Sequence, residues 1–343
     1  MLFRSVAALG ATIVFAVPAP SVAASRAVPA ADHEISFSVY GTTTYGTLHI
    51  PAHQAGRRLP AALLLPGSGP TDRNGNQPPT LTPNTLGNLA SALGADGIAT
   101  FRFDKYGTGR TGLGAFTGHP ENLDYQVFVR QADAAYRVLS SQPQVDSRSV
   151  RLIGHSEGAM TALVVAATAR PRPAGIALLQ PQAMRLLDVI SRQIHDQLGQ
   201  AAAAGQLTQE QKRAASLAVD RAVADFRAHR PVDTTSLLPP IAALFQSLEG
   251  TNRRFVESDD LVEPAQVAQR LRAGTPVLLT CGTADPQVPC DTTEELTAAL
   301  RHAHTRGPGR VTLPGVGHNL DDATHPGGIA PSALAALRTW LKY

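Results

Sequence analysis

Apolar positions along this chain recur in two periods, and the switches between them lay out its elements. Across Glu34–Thr42 and Thr44–Ile50, polar and apolar residues alternate on either side of Gly41, the pattern of an antiparallel hairpin. Ala61–Leu65 is a short unbroken apolar run, as strands buried on both faces are. Ile98–Phe103, Val150–Ile153, Gly175–Leu179, Val277–Thr280 and Arg310–Leu313 read as further strands. Helical segments fall between them, at Leu86–Leu93, Tyr125–Leu139, Ala159–Ala169, Thr293–His302 and Ser332–Leu341. From Gln182 to Leu271 the alternation stops, and only helices and turns are legible. This order predicts an α/β protein with a mostly parallel, twisted sheet and helices on both faces. A core of residues 25–181 and 272–343 would then carry a helical cap, 182–271, inserted after the sixth strand.

Composition excludes several function classes. With 43% hydrophobic and 17% charged residues, the 343-residue chain is far too apolar for a disordered protein. Thirty Lys+Arg against 27 Asp+Glu leave a formal charge of +3, and only Lys105, Lys212 and Lys342 are lysines. The arginines are scattered among acids, so no nucleic-acid surface is expected. Beyond the N-terminus no tract approaches the ~18 apolar residues of a membrane span, so stable membrane insertion is not expected either. Two cysteines rule out a disulfide-built scaffold and any four-cysteine metal site.

Residues 1–24 read as a secretory signal peptide. Met1–Arg4 is a short basic region, Ser5–Val17 an apolar run too short for an anchor, and Ser21–Ala24 offers small residues for cleavage near Ala23 or Ala24. Export would place the mature chain in the periplasm, the cell envelope or the medium. That environment is oxidising, and there Cys281 and Cys290 are expected to pair; the alternative is two buried thiols that merely pack.

The strongest chemical signal is Gly154-His-Ser156-Glu-Gly158, set between the apolar run Val150–Ile153 and the helix Ala159–Ala169. A strand-to-helix turn this sharp strains the backbone at its apex. Glycines two residues either side allow close approach, and the Ser156 hydroxyl stands at a helix N-terminus. A serine needs a base, and the base an orienting carboxylate, in the chain order Ser, acid, His for this architecture. Asp285 follows the strand Val277–Thr280, and His318 follows Arg310–Leu313. Each lies past the carboxyl end of its strand, where open parallel sheets place their sites. Ser156, Asp285 and His318 are therefore the candidate nucleophile, orienting acid and general base.

On these residues the chain resembles the α/β-hydrolase family over 35–343. The stretch Pro66-Gly-Ser-Gly-Pro-Thr-Asp-Arg-Asn-Gly75 resembles the PGSGP-x-DR-x-G loop of a bacterial esterase-like branch. The family draws one oxyanion-hole N–H from this loop and the other from the residue after the nucleophile. The resemblance thus implies the backbone amides of Ser68, with Gly69 as runner-up, and Glu157. Where the family usually carries His-Gly in this loop, the chain has Pro66-Gly67. Phe103–Gly109 resembles the family's Asp- and Gly-rich loop, normally structural.

Other motifs read as structure. Gly107–Gly112 matches G-x-G-x-x-G, but no helix opens there. Asp72–Asn76 begins like a calcium loop, yet Gln77 and Pro83 stand where Gly and Glu are needed, so Asx turns are expected. His302 and His304 cannot face one metal together. His155 is expected to pack or to touch the rim. Leu187, Ile190, Ile194 and Leu198, and then Val219, Ala222, Val223 and Phe226, sit at helical spacing in the insertion. They serve helix packing, the wall of a substrate pocket, or both.

The expectation is an exported serine hydrolase acting on small-molecule carboxylic esters through an acyl-enzyme, with neither cofactor nor metal. Peptidase, amidase or acyltransferase chemistry on the same triad is the alternative, and a non-catalytic binding protein on this fold a further one.

Overall fold

A computed structural model of the chain describes residues 26–343. The expected signal peptide lies outside the described residues. Eight strands form the main sheet: β1 Ala31–Val39, β2 Thr42–Ile50, β3 Leu59–Leu65, β4 Ala99–Phe103, β5 Val145–His155, β6 Ile176–Leu179, β7 Pro276–Gly282 and β8 Arg306–Leu313. Their spatial order is β8-β7-β6-β5-β3-β4-β2-β1. The β1–β2 and β2–β4 pairs are antiparallel, and every other neighbouring pair is parallel.

The hairpin turns at Tyr40-Gly41, both at positive φ (49° and 75°), as a two-residue loop that matches strand twist requires. Thr42 therefore opens β2 instead of closing β1. Along β3, Leu63 and Leu65 point to one face while Ala62 and Leu64 point to the other, the period-two consequence of a pleated strand. The first face is covered by α2 (Tyr125–Ser140), α3 (Glu157–Thr168) and α9 (Glu294–His302), which bury Tyr125, Tyr136, Leu163 and Leu300 there. The second is covered by α1 (Thr85–Ala95) and α10 (Pro331–Trp340), through Leu89, Leu93, Leu337 and Trp340.

Between β6 and β7 run five helices: α4 Leu186–Ala203, α5 Gln209–Arg227, α6 Pro239–Glu249, α7 Arg253–Asp260 and α8 Pro264–Ala268. The first four enclose an apolar cluster of their own around Leu187, Val219, Phe226, Phe245 and Val256. The last behaves differently. Val267, Ala268 and Leu271 join the cluster beneath the sheet's helices. A capping box starts α5, Thr208 accepting from the Gln211 N–H while the Gln211 side chain accepts from the Thr208 N–H. Among the described residues, no helix is long and apolar enough to cross a membrane.

Candidate active site

β5 ends at His155 and α3 begins at Glu157, so a single residue makes the turn between them. That residue is Ser156, at φ 58°, ψ −123°, a conformation L side chains adopt only when their surroundings impose it. The imposition is steric. A Cβ on Gly154 would collide with the Gly158 carbonyl, and one on Gly158 with the backbone oxygens of Leu65 and Pro66. The two glycines thus allow strand, turn and helix to pass within contact of the loop after β3. A Cβ on Gly67 in that loop would stand only 3.2 Å from the Ser156 Cβ.

The structure brings Asp285 and His318 together. His318 Nδ1 donates to Asp285 Oδ2 at 2.8 Å, and both residues are buried. With its proton on Nδ1, a neutral imidazole leaves Nε2 as an acceptor. The other Asp285 oxygen accepts the N–H groups of Gln287 (2.8 Å) and Val288 (3.1 Å), which fixes the carboxylate's rotation. The two loops are also stitched to one another, by Ala284 N–H to Val316 O and Gly315 N–H to the Thr283 hydroxyl. Gln180, just past β6, donates to Gly317 O and accepts from Thr280. Cys281 and Cys290 form a disulfide, their Cα atoms 5.1 Å apart, across the loop that carries Asp285.

Ser156 and His318 open on one cleft of about 650 Å³ between the sheet's carboxyl edge and helices α4, α6 and α7. Leu113, Phe128, Leu186, Val189, Ile190 and Phe255 give it mainly apolar walls. Ile190, one of the residues with helical spacing in the insertion, thus faces the cleft as well as its own bundle. Ser68, Gly69 and Glu157 also line it. Among the described residues, the Ser68 N–H meets no acceptor, while the Glu157 N–H heads a helix and has none within it.

Three further residues complete the site: His155, which packs as expected, and Lys105 and Asp259, which the sequence did not mark. His155 is buried, and its Nε2 donates to the His318 carbonyl at 2.7 Å with the two rings 4.9 Å apart. Burial, together with the neighbouring His318 ring, pushes its pKa down to about 3, so it stays neutral and braces the histidine loop. Lys105 donates to Gly67 O at 2.6 Å and meets Glu157 Oε1 at 3.4 Å, all within the interior. Asp259 on α7 is wholly buried, accepts from Gln182, and is pushed well above the usual carboxylate range by burial and by the charge of Glu157.

The remaining motifs serve the scaffold. Arg73 of the Pro66–Gly75 loop grips Asp104 through Nε (3.1 Å) and Nη2 (2.7 Å) and reaches Glu34 through Nη1, tying that loop to β1 and to the loop after β4. Asp72 Oδ1 accepts from the N–H groups of Asn74 and Asn76, as Asx turns do. Gly107–Gly112 closes on itself through Gly107 N–H to Gly112 O and Gly112 N–H to Thr108 O.

The Hydrolase_4 family model, described as serine aminopeptidase S33, matches residues 83–320, more than half of the chain. The protein belongs to this family. It has the α/β-hydrolase fold, and solved structures of that fold align with nearly all of it. An α/β-hydrolase named GrgF from Penicillium sp. sh18 shares 20% identity at a TM-score of 0.54, over 92% of this chain and 98% of that one. The esterase PF2001 of Pyrococcus furiosus shares 13% at 0.57, over 91% and 90%. Est1E of Butyrivibrio proteoclasticus, solved with ferulic acid bound, shares 17% at 0.54, over 89% and 96%. At such identities the likeness is one of fold. No curated protein sequence matches this S33-family chain.

Proposed function

We propose that this α/β-hydrolase is an exported serine esterase in which Ser156 attacks the ester carbonyl, His318 takes and returns the proton, and Asp285 holds the imidazole. The observation that carries the reading is the convergence of the strained Ser156 turn and the Asp285-held His318 on one apolar cleft. The tetrahedral oxyanion would be met by the N–H groups of Ser68 and Glu157. Water then releases the acyl group from the enzyme. The Pro66–Gly75 loop, with its likeness to an esterase-like branch, and the esterases among the structural neighbours support the same class. Helices α4–α7 act as a cap whose apolar inner face receives the acyl or alcohol part. The disulfide is compatible with an oxidising compartment and so with the signal peptide read at the N-terminus.

The family's description as serine aminopeptidase favours a second reading, cleavage of an aminoacyl amide. Such a substrate brings an ammonium that needs a carboxylate. Among the described residues lining the cleft, Glu157 is the one carboxylate; it is buried, and the Lys105 ammonium 3.4 Å from its Oε1 already balances its charge. The ester reading therefore fits the cleft better.

A panel of p-nitrophenyl esters and aminoacyl p-nitroanilides on the mature protein decides between them. Turnover of esters, lost by roughly 10⁴-fold or more in a folded Ser156→Ala protein, is the expected result. Preference for the anilides would replace the ester reading with the peptidase one. Undiminished ester turnover in Ser156→Ala would remove Ser156 from the chemistry altogether.

A further inference from the structure

Lys105 stands behind the proposed oxyanion hole. Its ammonium is buried, 2.6 Å from the Gly67 carbonyl and 3.4 Å from a carboxylate oxygen of Glu157, with the Phe128 ring 5.6 Å away. Those two partners belong to the two residues or peptides that would supply the oxyanion donors. The Gly67 carbonyl and the Ser68 N–H are opposite ends of one planar trans peptide, so a cation on the oxygen aims the N–H the other way. Glu157 carries the second N–H, and its side chain is drawn to the same ammonium. Burial makes the arrangement consequential. In a low dielectric a charge on a peptide oxygen polarises the whole unit and strengthens the donor at its far end.

We propose that Lys105 is a positioning residue for the oxyanion hole: it fixes and polarises the Gly67–Ser68 peptide and ties it to the Glu157 donor. The proposal rests on the serine-esterase reading above, and it extends that reading from the backbone donors to the side chain that orients them. Lys105 neither touches the substrate carbonyl nor moves a proton. Its contribution belongs to the transition state, where negative charge gathers on the oxygen, so its loss falls on kcat and leaves KM nearly unchanged.

The test compares Lys105→Met and Lys105→Arg with the parent on one p-nitrophenyl ester, together with binding of a trifluoromethyl ketone, whose adduct with serine is a tetrahedral oxyanion. Removal of a whole oxyanion donor costs about 10²–10³ in kcat, so mispositioning one in Lys105→Met is expected to cost roughly 30- to 100-fold. KM should stay within about threefold, and the ketone should weaken by a factor like that in kcat. Lys105→Arg keeps the charge and a donor, and should recover most of the loss. A folded Lys105→Met protein with kcat and ketone affinity near the parent's overturns the proposal, as does a loss confined to KM. Should Lys105→Met not fold, Glu157→Gln decides: a kcat at least threefold lower at constant KM supports the linkage, and an unchanged kcat refutes it. Ser156→Ala separates this outcome from the parent reading. If it is inactive while Lys105→Met is normal, only the role of Lys105 fails; if it stays active, the esterase reading itself has failed.

Discussion

The turn at Ser156 and the base of the helical insertion are both held by close contacts, but the physics of the two is opposite. At the turn, backbone meets backbone. Gly154 and Gly158 leave no room for a methyl group, and the contact runs from α3 to the strand end at Leu65. Under the insertion, side chains meet through charge. Asp260 accepts from Arg185, from Arg227 and from the Leu187 N–H, and Arg227 reaches on to Asp188. Arg192 joins α4 to Asp291, beyond the disulfide loop. Steric contact has no slack, so it can hold a strained serine in place. Ion pairs on long side chains tolerate displacement and respond to pH, so the helices that wall the cleft are held less rigidly than the turn.

The comparison breaks first at Gly158. Gly158→Ala puts a methyl inside the backbone of Leu65 and Pro66, neither of which can rotate away as a flexible side chain would. Overpacking of this kind costs on the order of 3 kcal/mol. The protein should melt well below the parent, and any folded fraction should label poorly with a phosphonate because the turn and the loop after β3 have been pushed apart. Normal melting and labelling would mean that this strand-to-helix elbow at Ser156 has slack after all.

Asp260 tests the ionic side. Burial favours its neutral form, yet hydrogen bonds from Arg227 and the Leu187 N–H outweigh that and hold it below the usual carboxylate range. A carboxylate with a lowered native pKa contributes stability above its unfolded pKa and loses it as pH falls through the native one. Asp260→Asn should therefore cost roughly 2 kcal/mol at pH 7, discounted because both arginines are partly exposed. The difference from the parent should shrink on acidification. A cost that is the same at pH 3 and pH 7, followed by denaturant melts, would show that charge is not what anchors the insertion.

How much of this was legible in advance follows the same division. The buried strands announce themselves, because Ala61–Leu65 and Val277–Leu279 have no polar residue to blur the run. The edges do not. β5 begins five residues earlier than Val150, since polar Asp146–Ser149 read as loop, and β8 begins at Arg306 although Gly307-Pro-Gly309 reads as a turn. A bulge between Arg306 and Gly309 absorbs those residues at the sheet edge, where such irregularity is tolerated. Ser156, Asp285 and His318 could be singled out because each follows a strand that the sequence marks, and they lie just past the carboxyl ends of β5, β7 and β8. Lys105 and Asp259 could not. Their meaning lies in partners 52 and 77 positions away, Glu157 and Gln182, and no local pattern pairs residues at that distance.

Asp259 offers the finest test, because it sits where the two regions meet. It belongs to α7, yet it is wholly buried against Gln182 at the foot of the elbow, within the field of Glu157. Burial, and next the Glu157 charge, raise its pKa well above the usual range, so the folded protein keeps its proton where the unfolded chain has released it. The folded state then binds more protons than the unfolded one above about pH 4, and stability falls as pH rises through that window. Asp259→Asn removes the titration while keeping the shape and the acceptor for Gln182. Its new amide hydrogens replace Oδ2, which has no hydrogen-bond partner among the described residues, and point into the field of the Glu157 carboxylate. The variant should match the parent near pH 4 and exceed it at pH 8, by on the order of 1 kcal/mol in chemical denaturation. A stability difference that does not change between those pH values would mean that Asp259 ionises alike in the folded and unfolded chains, and that charge reaches the foot of the elbow as freely as it does the surface of the insertion.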